Sequence, residues 1–399
     1  MDAAALRRYA DAIVRDALRL GDGDLLAIEG DPEHRELLVA LAEAGYRAGC
    51  RYCDVLTIEP RVTRLRALHG PLDSLGEQPG WRDRWARDLL AVDAGFALVI
   101  GAEEPDLMAD VPPARAAALR PESMRLLRAV TAGKARFCVA GYPTPRWASR
   151  VYPELPAAEA LVALERDLLD FARIGRDDPP DGWARHVARL GDLAAELTAR
   201  GLRELTLRGP GTDLRVGLPE GAIWVGGTID GRTVRFSPNI PTEEVFTAPS
   251  PRTCEGTFAC THPLELGGRV IDGIRAELRR GRLVRIEADR PDDVEFLTGY
   301  LSRDRGAGRL GELALVDAQS RVGMRGRSYG TTLLDENAAS HVAFGAGYRF
   351  NRALGAEGVN SSEIHVDVMI GRPELEVHGR GARGSSRAVL VDGELLPGR

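Results

Sequence analysis

Along the first 200 residues, apolar and polar positions switch between two periods. Residues 3–20 carry apolar side chains at helical spacing, and Gly21-Asp22-Gly23 then gives way to the apolar run Leu25–Ile28. This predicts a helix followed by a strand. The same alternation predicts a helix over 32–48, strands at Asp54–Ile58, Ala97–Ile100 and Arg136–Ala140, and helices over 113–132, 156–173 and 182–200. Strands separated by helices imply an α/β layer with a largely parallel sheet. Within this half, Asp177-Asp178-Pro179-Pro180-Asp181-Gly182 breaks the helical spacing.

After about residue 203 the runs shorten and turn residues separate them. Asp230-Gly231 stands between Ile223–Ile229 and Thr233–Phe236, and Arg280-Gly281-Arg282 between Ile274–Leu278 and Leu283–Ala288. Both patterns predict hairpins. Helices are expected over 291–301 and 335–347. The fold class is therefore α/β. An N-terminal α/β domain over residues 1–200, with a largely parallel sheet, precedes a β-rich α+β domain over 201–399 that carries the candidate metal site.

Composition narrows the function classes. With 399 residues, 44% hydrophobic and 28% charged, the chain can bury two cores without disulfide staples. A net charge of −6 disfavours a nucleic-acid partner and a polybasic membrane anchor. No apolar run approaches the ~18 residues of a membrane span. The first 20 residues read as an amphipathic helix, not a signal peptide, and the odd set Cys50, Cys53, Cys138, Cys254 and Cys260 suggests reduced thiols in the cytoplasm. Lys134 is the only lysine, and no phosphate-binding loop surrounds it. Gly21-x-Gly23 follows a helix and opens a strand, the reverse of a dinucleotide-binding loop. Cys50-x-x-Cys53 has no second pair, so two buried thiols are expected. Neither a Gly-x-Ser-x-Gly elbow nor a His-Glu-x-x-His motif occurs.

Two of the seven histidines stand out by their company. His341 falls in Leu334-Asp335-Glu336-Asn337-Ala338-Ala339-Ser340-His341-Val342-Ala343-Phe344-Gly345-Ala346-Gly347-Tyr348, read as a helix with Asp335 near its cap. Seven residues make two turns, which would put His341 and Tyr348 on one face with the small Ala338 and Gly345. His365 falls in Ile364-His365-Val366-Asp367-Val368, where a strand would aim His365 and Asp367 to the same side. Two glutamates complete the set. Glu312 is the lone acid in Leu310–Val316. Of the adjacent Glu243 and Glu244, at most one can face the same way. A carboxylate entering an apolar strand asks for a cation. Glu244, Glu312, His341, Tyr348, His365 and Asp367 form an oxygen and nitrogen donor set suited to Zn, Co, Mn or Mg. Three carboxylates exceed what one catalytic ion with an open position needs, so two divalent ions are expected.

Four motifs in this order also resemble the M29 metallo-aminopeptidases, the thermophilic aminopeptidase T group. They are Thr242-Glu243-Glu244-Val245-Phe246-Thr247-Ala248-Pro249, Arg309-Leu310-Gly311-Glu312-Leu313-Ala314-Leu315-Val316, Leu334–His341 and His365-Val366-Asp367-Val368-Met369-Ile370-Gly371. Trp183 to His186 and Gly211-Thr212-Asp213-Leu214 extend the resemblance over the whole chain. It implies a cytosolic homodimer using two divalent metals, held by the six residues just named, with Glu336 as general acid/base. Its implied substrates are short peptides or aminoacyl amides. Tyr348 is expected to ligate or to assist catalysis. The stretch Asp317–Val322 departs from the family's Ser-Pro-Ile, so the substrate pocket is expected to differ there. Two rival activities share these residues. One is a dedicated biosynthetic amide hydrolase. The other is a ring-cleaving Fe(II) dioxygenase built on His341, His365 and Asp367, which has no need of both Glu244 and Glu312.

Overall fold

In the computed structural model the alternating first half folds as its spacing dictates. The structure describes all residues except 102–103, 105, 120–128, 131–133, 349–357, 382–383, 385 and 397–399. Strands Leu25–Gly30, Tyr52–Thr57, Gly95–Ile100 and Arg136–Gly141 pair in parallel. Helices Arg35–Arg47, Ala157–Phe171 and Gly182–Ala199 lie where expected. The first helix runs from Ala3 to Asp11 and continues in wider turns to Ala17. Helices Pro60–His69 and Gly80–Ala91 escaped the periodicity because each buries a single residue, Ala67 and Ala86. The helix expected over 113–132 is described as Pro113–Ala118, and much of its remainder lies outside the described residues.

Among the described residues, two large antiparallel sheets and two two-stranded ones make up the second half. The larger has eight strands, among them the hairpin Arg275–Arg279/Arg282–Glu287. Its turn residues Arg280 and Gly281 both have positive φ, 50° and 69°, the mirror-image turn that matches strand twist. The other expected hairpin needs correction. Ile223–Ile229 is not one strand: Val225–Gly226 pairs with Glu244–Thr247, and Ile229–Asp230 pairs with Arg235–Phe236. Gly226 and Gly227 lie against helix Gly182–Ala199, where a Cβ would stand 2.6 Å from the Leu190 carbonyl oxygen and 2.5 Å from that of Val187. That packing divides the run.

The smaller sheet orders its strands His365–Met369, His341–Gly345, Leu310–Val316, Glu244–Thr247 and Val225–Gly226. The helix expected over 335–347 is therefore corrected. A short helix, Thr332–Ala338, ends at an extended Ala339, and His341 opens a strand. All five positions of that strand are buried. A strand covered on both faces shows no alternation, so its period cannot separate it from a buried helix. Nor does Asp335 cap the helix start. Its carboxylate accepts from the backbone N–H groups of Tyr329 and Gly330 and from the Ser328 hydroxyl, tying down the preceding loop.

One face of the smaller sheet packs Val245, Leu313, Leu315, Val342, Phe344, Val366 and Val368 into a core shared with the larger sheet. Phe246 and Ala314, on the other face, join Phe96, Phe137 and Phe236 in a separate cluster. The two halves also share backbone. Asn239–Ile240 pairs in parallel with Val139–Ala140 at the edge of the first sheet.

Candidate metal centre

Strand register brings the polar residues together. Glu312 pairs with Ala343, which pairs with Asp367. His341 pairs with Ala314, Gly345 with His365, and Phe246 with Ala314. Directly paired residues share a face, as do residues two apart. Glu244, Glu312, His341, His365 and Asp367 therefore project from one face, and the small side chains between them leave a hollow. A bulge at Gly311 shifts the register beside Glu312. A Cβ there would lie 2.3 Å from the Gly345 carbonyl oxygen. Bulges of this kind re-aim a neighbouring side chain.

Within the hollow, His341 Nε2 lies 3.2 Å from Glu244 Oε2, 3.8 Å from Glu312 Oε1 and 3.9 Å from Asp367 Oδ1. His365 Nε2 lies 3.2 Å from Asp367 Oδ1 and 3.7 Å from Glu312 Oε2. Glu312 and Asp367 thus stand between the two imidazoles, while Glu244 reaches only His341. Both rings meet a carbonyl through Nδ1, His341 at Ala339 (3.2 Å) and His365 at Ala346 (2.7 Å). With Nδ1 at a carbonyl, Nε2 of each ring faces the carboxylates.

The electrostatics are those of charges crowded out of water. Burial raises Glu244 to about 8, against the pull of His341 and with the push of Glu312 and Asp367. Burial would depress His365, but Asp367 and Glu312 carry it up to about 10. His341 is likewise raised by Glu312, Glu244 and Asp367 despite burial. Asp367, opposed by burial, is held low by His365 and His341. Two carboxylate oxygens, Glu244 Oε2 and Glu312 Oε2, are buried without a hydrogen-bond partner. Orphaned carboxylate oxygens beside two imidazole Nε2 atoms fit a divalent cation, which would satisfy both at once. Glu244, Glu312 and His341 offer donor atoms within 4.8 Å of one another.

Glu336 comes from the short helix, not from the sheet. Its Oε1 accepts a 3.0 Å hydrogen bond from Asn239 on the shared edge strand. Burial, with the charges of Asp367 and Glu244, raises it well above the usual carboxylate range. Tyr348 lies three residues beyond its strand, so the helical i, i+7 relation to His341 does not hold. It still reaches the site, its ring centre 5.1 Å from that of His365 and 5.9 Å from Phe246. Glu336, Tyr348, Glu244, Glu312, His365 and Asp367 all line one cavity of about 230 Å³, closed by Phe137, Val139, Ile229 and Leu333. Asp317–Val322 does not line it.

Sequence reading missed what stands behind these residues. Glu243 is as buried as Glu244, but on the opposite side. Arg173 Nη2 lies 2.8 and 3.0 Å from its two oxygens, and His186 Nε2 lies 3.6 Å away and 2.7 Å from the Thr242 carbonyl. The Glu243 N–H donates to Asn337 Oδ1, whose amide in turn donates to the Leu333 carbonyl. Asn239 was also missed. An amide in Pro238-Asn239-Ile240-Pro241, between two prolines, was the available signal.

A family model described as thermophilic metalloprotease (M29) matches residues 2–395. The chain is 35% identical to aminopeptidase T of Thermus thermophilus, over 97% of each chain. It is 34% identical to aminopeptidase 2 of Geobacillus stearothermophilus, again over 97% of each. The solved structure of wild-type AmpT from Thermus thermophilus superposes with a TM-score of 0.86 at 32% identity, covering 99% of this chain and all of that one. A 2,5-dihydroxypyridine dioxygenase from Pseudomonas putida shares the fold at a TM-score of 0.54 and 14% identity, covering 99% of this chain and 98% of that one.

Proposed function

The chain belongs to the thermophilic metalloprotease family M29, and from that premise we propose that it is a metallo-aminopeptidase that removes the N-terminal residue of short peptides. The observation that carries this reading is the buried set of donors with two orphaned carboxylate oxygens, beside a carboxylic acid held by Asn239. Glu244, Glu312, His341, His365, Asp367 and Tyr348 are the proposed ligands. Two ions are favoured by Glu312, whose Oε1 faces His341 and whose Oε2 faces His365. Divalent ions bound there supply Lewis acidity, lowering the pKa of a water and polarising a carbonyl.

The protein's own groups do the rest. Asn239 fixes one oxygen of Glu336, so the carboxyl keeps a single orientation at the cavity wall. Glu336 takes the proton of the attacking water and returns it to the nitrogen of the departing amine. Tyr348 lines the same space, where its phenol oxygen would complete the ligand set. Phe137, Val139, Ile229 and Phe246 form an apolar wall that suits one side chain and excludes water.

The dioxygenase alternative uses one carboxylate beside two histidines. It leaves Glu244 and Glu312 without a role, and the likeness to the dioxygenase is one of fold alone. Metal stoichiometry tests the proposal. Inductively coupled plasma analysis of metal-loaded, desalted protein should find about two ions per chain. His341→Ala should lose at least one ion and all peptide hydrolysis. Full metal content and activity in that variant would refute the site.

A further inference from the structure

A second and larger space adjoins the metal cavity. This cleft of about 550 Å³ meets the smaller one at Ile100 and Thr332, which line both. Its walls are apolar at Ile58, Leu107 and Met108, and acidic at Asp31, Glu33, Glu59 and Glu265. Among the described residues none of these four acids forms an ion pair. Arg61 and Arg146 both hold Glu104, which also lines the cleft. Burial and the like charges of Glu33, Glu59 and Glu29 lift Asp31 to about 7. A further polar group waits in the wall. Thr331 is 5% exposed, and its Oγ1 has no hydrogen-bond partner.

Resting on the aminopeptidase reading, we infer that this cleft binds the leaving side of the peptide and selects a cationic side chain, lysine or arginine, just beyond the scissile bond. The smaller cavity has room for one N-terminal side chain, so the rest of the substrate must leave past Ile100 and Thr332. An aliphatic stem with a cationic head matches apolar walls that carry carboxylates. Thr331 can accept from that head or from the peptide backbone. An acidic leaving residue would meet four carboxylates and be repelled.

Leucyl-arginine amide, leucyl-leucine amide and leucyl-glutamate amide share one N-terminus and a blocked C-terminus, so they differ only in the group offered to the cleft. At low salt, kcat/KM should be about tenfold higher for the arginine amide than for the leucine amide, and lower again for the glutamate amide. The double variant Asp31→Asn, Glu59→Gln keeps an acceptor for each helix cap and should bring arginine and leucine within about twofold. The native enzyme gives an independent check: the arginine advantage should shrink as salt rises to about 1 M, where charges are screened within about 3 Å. Equal rates for arginine and leucine at low salt would overturn the inference. So would an arginine advantage that survives both the double variant and high salt. If none of the three amides is cleaved with any divalent metal, the peptidase reading itself falls, a result distinct from cleavage without selectivity.

Discussion

His341 and His365 each commit Nδ1 to a backbone carbonyl, and that small fact organises the centre. It leaves Nε2 of both rings to the same group of carboxylates. Glu336 differs because a neutral amide, not an imidazole, holds it. Glu336→Gln should therefore keep the metal content and the Asn239 contact while lowering kcat by ~10²–10⁴, the usual worth of a general acid/base. Near-native turnover in that variant would remove Glu336 from the mechanism. A histidine outside the centre sets a pH dependence. His34 is fully buried and burial lowers it to about 4. The unfolded chain, near 6.5, then binds more protons between these values, so acid unfolds the protein through this group. The contribution is present above about pH 6.5 and lost progressively toward 4, amounting to about 3 kcal/mol. Urea unfolding of His34→Asn should show a flatter pH slope than the native protein across that window, and an unchanged slope would contradict the assignment.

At the scale of elements, two of the strands that bear the ligands were legible because each sets charge in an apolar run. Glu312 within Leu310–Val316 and the His365-x-Asp367 pair fell on the expected strands. His341 was singled out by its neighbours, yet its element was misread, since a strand buried on both faces has no period to read. Tyr348 was tied to His341 through that false helix and reaches the site by a different path. The supporting network was illegible for a different reason. Arg173, His186, Glu243 and Asn337 lie far apart in sequence, and only the tertiary fold brings them together. Their joint action is testable. Glu243→Ala leaves the Arg173 guanidinium buried without its carboxylate, at a cost of about 3–5 kcal/mol. Urea unfolding at fixed pH measures it, and a loss below about 1 kcal/mol would show the pair to be dispensable.

At the scale of the molecule, two layers with different periods meet at the chemistry. The first half supplies Phe137 and Val139 to the cavity wall, while the second supplies the donor set. Asn239 crosses between them, on a strand that belongs to the first sheet and with a side chain that holds Glu336. The α/β reading of the first half and the β-rich reading of the second could be made from spacing alone. Their junction could not, because a two-residue strand has no pattern. Among the described residues no helix is long and apolar enough to cross a membrane. The proposed chemistry of this junction is hydrolysis of the bond after a free N-terminal residue with the help of divalent metal. The most direct test is release of p-nitroaniline from leucine p-nitroanilide by chelator-stripped protein, with Zn, Co, Mn or Mg restored one at a time. The stripped protein should release none, at least one metal should restore release, and acetylating the leucine amine should abolish that recovery. Release that persists without metal, or that ignores acetylation, would contradict that chemistry.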